Sequence, residues 1–98
     1  MKINTHEDSI SITLNEECSI SDVESHTDRL RNIIENVQTV DIFAQDVKEC
    51  DTAYLQMLLS LKATAEHQGV LFKVKTSSDV IDEIWSLYAP PEEPFQSV

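Results

Sequence analysis

The sequence predicts a single α/β domain, a mixed and mostly parallel β-sheet of about four strands with helices packed against it. Three observations predict it. Short apolar runs with a period of two alternate along the chain with longer runs of helical period, and a β-α-β-α order with right-handed crossovers leaves its strands parallel. The one glycine, Gly69, and the prolines Pro90, Pro91 and Pro94 fall at or beyond the ends of these runs. With 98 residues, 41% of them hydrophobic, the chain encloses one modest core and no second one. The domain is expected over residues 1–89, with 90–98 as a flexible tail too poor in apolar residues to pack alone.

The elements follow in order. Ile10, Ile12 and Leu14 alternate with Ser9, Ser11 and Thr13, the pattern of a half-buried strand, and Lys2 to Thr5 pairs with it as a short edge strand. The polar stretch from Asn15 to Cys18 turns the chain. Ser21 with Glu24 three residues on forms a capping box. It starts a helix that ends near Asn36, with Val23, Leu30, Ile33, Ile34 and Val37 as its apolar stripe and His26 and Thr27 in the turn between. Residues 39–44 are compact, mostly apolar and β-branched, as suits a central strand covered on both faces. Gln45 to Cys50 leads out of that strand.

Asp51 then caps a long helix running to about His67. Its apolar surface is Leu55, Leu58, Leu59 and Leu61, and Gly69 sits where a C-terminal cap belongs. Val70, Phe72 and Val74 alternate with Leu71, Lys73 and Lys75 to make another strand. Ser77, Ser78 and Asp79 supply caps for a last helix, on which Ile81, Ile84, Trp85 and Tyr88 share one face until Pro90 and Pro91 end it.

Seven Lys and Arg against eighteen Asp and Glu leave a formal net charge of −11. Such a field repels a phosphate backbone, which excludes nucleic acid and anionic membrane surfaces as direct ligands. A basic protein surface would complement it, and solubility alone would also explain it. Cys18 and Cys50 show no CxxC spacing, and the opening from Met1 to Ile10 is polar, so a cytoplasmic, reducing location is expected. No apolar run reaches the roughly 18 residues that insertion across a membrane needs.

No enzyme chemistry stands out. A single glycine cannot build a phosphate loop, and GxSxG and HExxH spacings are absent. Carboxylates such as Asp82 and Glu83 lie on polar helix faces. His6, His26 and His67 fall on different elements, without the spacing zinc requires. Neither a catalytic residue, a metal site nor a cofactor is therefore expected. Cys50, just ahead of a helix, has either a thiol pKa lowered by the helix N-terminus or a plain packing role.

The most informative stretch runs from Cys50 to Gln56. Its residues support two readings. In one, Asp51 caps the helix and Thr52 fills the first turn, worth about 1 kcal/mol. In the other, the Thr52 hydroxyl carries a phosphate whose charge the free helix amides tolerate.

The segment from Asp41 to Gln56 resembles the core of STAS domains (sulphate transporter and anti-sigma factor antagonist). It has a strand, a loop, and an Asp-Ser/Thr-x-Gly/Ala-Leu turn opening a helix. Lys62 to Gly69 is similar to that helix's end, Val70 to Lys75 to the following strand, and nearly all of residues 1–89 can be laid along the fold. In such proteins the hydroxyl matching Thr52 is phosphorylated by anti-sigma kinases, while the unphosphorylated domain binds the kinase-like partner and frees a sigma factor. Tyr54 stands where the family usually has a small residue; it would either crowd a kinase or anchor a different partner. The stretch from Cys50 to Leu58 looks most like the chemotaxis-associated STAS domains and the cytoplasmic STAS subunit of phospholipid-transport ABC complexes.

The resemblance implies a non-enzymatic regulatory module. It would dock on a kinase-like or chemotaxis signalling protein through Asp51, Thr52, Ala53, Tyr54, Leu55 and Met57, with Thr52 as the phosphoacceptor candidate. The alternative is a stable accessory subunit of a phospholipid-transport ABC complex. The departure at Tyr54 favours docking over a phosphorylation switch.

Overall fold

The computed structural model describes residues 1–88; the tail expected at 90–98 lies outside the described residues. The first two strands, β1 (Lys2–Thr5) and β2 (Ser9–Thr13), form an antiparallel hairpin. After it come β3 (Glu17–Cys18), α1 (Ile20–Ile34), β4 (Thr39–Phe43), β5 (Glu49–Cys50), α2 (Thr52–His67), β6 (Leu71–Thr76) and α3 (Asp79–Tyr88). The main sheet has the order β1-β2-β4-β6, with β4 parallel to both of its neighbours. This is the mixed, mostly parallel four-stranded sheet that the alternation of periods predicted.

Strand alternation decides which face is buried. Ile10 and Ile12 of β2, Val40 and Ile42 of β4 and Val74 of β6 are buried side by side. On the opposite face Ser11, Asp41 and Lys73 lie abreast, the first two partly buried and the last exposed. Thr39 and Phe43 are also only partly buried. The expectation that β4 is covered on both faces is therefore corrected: one face packs in the core and the other is only partly covered. Both βαβ crossovers step the same way across the sheet. Right-handedness then puts α1 and α2 on one side, where they pack on each other, with α3 against α2 and β5.

The termini of the helices show what the sequence encodes locally. α2 ends in a Schellman motif: the Val70 amide donates to the Ala65 carbonyl at 2.8 Å and the Gly69 amide to Glu66 at 3.1 Å. Gly69 takes φ +76°, a conformation that costs a side-chain-bearing residue about 1–2 kcal/mol. α3 starts on Ser78, whose Oγ accepts from the Ile81 amide at 3.4 Å. The start of α1 differs from expectation. Its N-cap is Ser19, in extended conformation (φ −127°, ψ 167°), not Ser21. The serine-to-acid spacing recurs two residues earlier, as Ser19 and Asp22, and the Ser19 hydroxyl bonds to Ser21 Oγ at 2.7 Å, not to a helix amide.

Two elements were not legible in the sequence. β3 and β5 are two residues each and form a small parallel ribbon pairing Glu17 with Glu49 and Cys18 with Cys50. No periodicity exists at that length. The amides of Lys48 and Glu49 extend the ribbon, donating to the Glu16 carbonyl at 2.8 and 3.0 Å.

Candidate functional site

The ribbon of β3 and β5 carries the chain into both long helices: β3 leads to α1 through Ser19, and β5 to α2 through Asp51. The two helix N-termini therefore meet. Asp51 joins them with one side chain. Its Oδ1 accepts from the Tyr54 amide at 2.9 Å, the ordinary N-cap bond of α2, and its Oδ2 accepts from the Ile20 amide at 2.7 Å, the first residue of α1. Its own amide donates to the Cys18 carbonyl at 3.1 Å. Two positive dipole ends thus converge on one carboxylate in a protein of strongly negative charge.

Thr52 is the first residue of α2 and, like Ala53, is half-buried beside this junction. Gln56, one turn further on, is exposed. Ile20 is 69% exposed at the start of α1, an apolar side chain presented next to the Asp51-Thr52 turn that sequence reasoning missed. The signal was present but weak: Ile20 lies just outside the apolar stripe of α1.

Tyr54, Leu55 and Met57 occupy different ground from the one expected. Tyr54 and Leu55 are fully buried, and Met57 is 5% exposed. The proposed docking set therefore does not form one surface. Asp51, Thr52 and Ala53 lie at the turn, while Tyr54 and Leu55 point into the core and present nothing to a partner. Helical geometry explains the division, since residues one and two positions apart do not share a face.

Tyr54 has a structural role that accounts for its presence. Its hydroxyl lies 2.7 Å from Nδ1 of His26, and the two rings meet edge to face at 5.6 Å and 86°. Burial lowers the His26 pKa and pushes the Tyr54 phenol well above its usual range. Both groups are thus neutral near pH 7, and the phenol and Nδ1 share one buried hydrogen bond whose direction the imidazole tautomer sets. His26 belongs to a buried stripe with Leu30 and Ile34. Its spacing of four from Leu30, and of eight from Ile34, was the sequence signal for its burial.

The cysteines sit on the ribbon beneath the turn. Cys18 is buried and Cys50 partly so. Burial raises their thiols to about 11 and about 12. For Cys50 this reverses the lowering that a helix N-terminus would cause, because loss of solvation dominates and the Cys18 and Asp51 charges add to it. Among the described residues no cluster of three or more His, Cys, Asp or Glu side chains could hold a metal ion. No helix among them is long and apolar enough to cross a membrane.

Beside the turn, a shallow groove of about 260 Å³ runs between α1 and α2, lined by Val23, Thr27, Arg31, Ala53, Gln56 and Met57 among others. The half-buried methyl of Ala53 forms part of its wall.

No protein-family model matches the chain, and no curated protein sequence does. Its structure is similar to the solved structure of the anti-sigma factor antagonist SpoIIAA in its unphosphorylated form, with a TM-score of 0.79, 14% identity, and coverage of 93% of this chain and 89% of that one. Sequence identity this low speaks for architecture. Strand order, crossovers and helix placement agree with the resemblance first read from residues 41–56, and the chain has the STAS fold.

Proposed function

We propose that this chain is a regulatory protein-binding module of the anti-sigma-factor-antagonist type, docking on a kinase-like or chemotaxis signalling protein through the surface around Asp51, Thr52 and Ala53. The observation that carries this reading is the Asp51 junction. A single carboxylate holds the start of α1 and the start of α2 together, so Thr52 and the exposed Ile20 are presented from one rigid corner. Likeness to the fold of an anti-sigma factor antagonist supports the class of role.

Ile20 takes over the anchoring part that Tyr54 and Leu55 cannot play from the core. A buried apolar anchor ringed by polar contacts is the usual source of interface energy. A stable-subunit interface would draw its apolar anchors from Tyr54 with Leu55 or Met57, and the burial of these side chains counts against it.

Tyr54 is buried, so it does not crowd the Thr52 hydroxyl from the surface, and Thr52 is the phosphoacceptor candidate for a switch on this docking. Transfer of a phosphoryl group from ATP, held by the partner, to Thr52 Oγ1 adds about −1.5 to −2 charge. The Asp51 carboxylate already occupies the converging helix ends, so like-charge repulsion and bulk weaken docking. The test is incubation with ATP and the kinase encoded nearest to this gene, with phosphate mapped by mass spectrometry and partner binding measured alongside. Phosphate on Thr52, lost in Thr52→Ala, with weaker binding of Thr52→Glu, supports the switch. Partner binding that persists with Thr52 unmodified retains the module and removes the switch. Partner binding unaffected by Ile20→Asp and Ala53→Glu removes the docking surface.

A further inference from the structure

The ribbon that carries the site also holds the only two cysteines of the chain, directly opposite each other in register. Neighbouring strands lie about 4.8 Å apart, inside the Cα separation of about 4.4–6.8 Å that a disulfide spans. In-register residues on adjacent strands project to the same side. Both side chains line one open depression of about 270 Å³, with Glu17, Ser19, Glu49 and Asp51 around them. Cys50 makes a weak contact to the Asp51 carbonyl at 3.6 Å, and Cys18 makes one to the Asn15 carbonyl at 3.5 Å besides a side-chain hydrogen bond with Tyr54.

We propose that Cys18 and Cys50 are a covalent modification site: a thiol pair that peroxides oxidise to an intramolecular disulfide, cross-linking β3 to β5 immediately before Ser19 and Asp51. Cys50, the more exposed, reacts first. Its thiolate attacks one peroxide oxygen, the O–O bond breaks, and hydroxide leaves and takes up the proton the thiol released to become water, giving a sulfenic acid. The Cys18 sulfur then attacks the Cys50 sulfur. The S–S bond forms as the S–O bond breaks, and the Cys18 proton leaves with the second water. Two electrons pass from the two sulfurs to one peroxide, and the chain becomes two hydrogens lighter.

Burial raises both thiol pKa values, so little thiolate is present at neutral pH. The pair therefore responds to sustained oxidant, in contrast to the rapid, low-pKa sensor thiols. Once formed, the link closes the segment that contains all of α1, which restricts the unfolded chain far more than the folded one.

The experiment treats the folded, full chain with hydrogen peroxide, blocks remaining thiols, and digests it with trypsin without reductant. The expected result is a cross-linked pair of peptides, 3–29 with 49–62, in the monomer fraction. Thiol labelling should fall from both cysteines to neither, the thermal midpoint should rise, and both changes should reverse with dithiothreitol. Cys18→Ala and Cys50→Ala, which keep the sites apolar, should each abolish the linked peptide. Native protein that keeps both thiols free, or that yields only sulfinic acids or intermolecular dimers, overturns the proposal. Linkage seen only after denaturation in urea overturns it equally.

Discussion

The two ends of α2 are closed by different physics. At the C-terminal end, the backbone of Ala65 to Val70 satisfies itself once Gly69 adopts a positive φ. Every participant is within six residues of the others. At the N-terminal end, Asp51 makes the expected local bond to Tyr54 and a second bond to Ile20, thirty-one residues away in the chain. The first end is a helix terminus. The second is a helix terminus and a tertiary joint at once, so changes there reach two helices and the surface between them.

The largest effect should follow from removing that joint. Asp51→Ala strands two helix amides together, and a charged N-cap bond contributes about 1–2 kcal/mol each, so a loss of roughly 2–4 kcal/mol is expected in urea unfolding. Asp51→Asn separates the two functions. The amide group has a single acceptor oxygen, and it can cap α1 or α2 but not both with equal geometry. Its loss should fall near half that of alanine. If Asp51→Ala costs no more than an ordinary single cap, the bond to Ile20 contributes nothing in solution.

The next effect lies one turn inside, where α2 meets α1 through Tyr54 and His26. Tyr54→Phe preserves the ring packing and leaves a buried imidazole nitrogen without its hydrogen-bond partner, at a cost of about 1–3 kcal/mol. The same pair confers a pH dependence whose sign is fixed by burial. His26 is lowered in the folded protein, whereas in the unfolded chain it titrates near 6.5. Below that value the unfolded chain binds the proton more readily, so stability falls with falling pH. The contribution is present in full above about pH 6.5 and is lost as pH drops through the folded value. Thermal midpoints followed from about pH 7.5 to 5.5 should show this decline, and His26→Gln should flatten it. An unchanged slope in the variant would assign the decline to other groups.

Legibility in the sequence followed the same division between local and tertiary. Period-two strands, the α2 boundaries and Gly69 were readable because each depends on neighbours a few residues away. The Asp51-Thr52 turn was readable as a cap for that reason too. The second bond of Asp51, the pairing of Cys18 with Cys50 and the union of His26 with Tyr54 join residues 28 to 32 positions apart, brought together only when the βαβ unit closes. Tyr54 was misplaced for a related reason. Next to a functional turn it reads as a surface aromatic, and only the helix rotation set by Leu55, Leu58 and Leu61 turns it inward.

The smallest effect sharpens the comparison from the other end. Gly69→Ala introduces a methyl into open space, since a Cβ built there meets nothing within 4 Å. The cost is then the backbone conformation alone, about 1–2 kcal/mol. Gly69→Asn should cost less, because asparagine enters the left-handed region more readily. Neither change should alter hydrogen exchange at the Ile20 and Tyr54 amides beyond what the global loss of stability accounts for. Asp51→Asn should speed exchange at those two amides more than at the Val70 amide. If the Gly69 variants instead opened the N-terminal amides selectively, the two ends of α2 would be energetically coupled, and the division between a local terminus and a tertiary joint would fail.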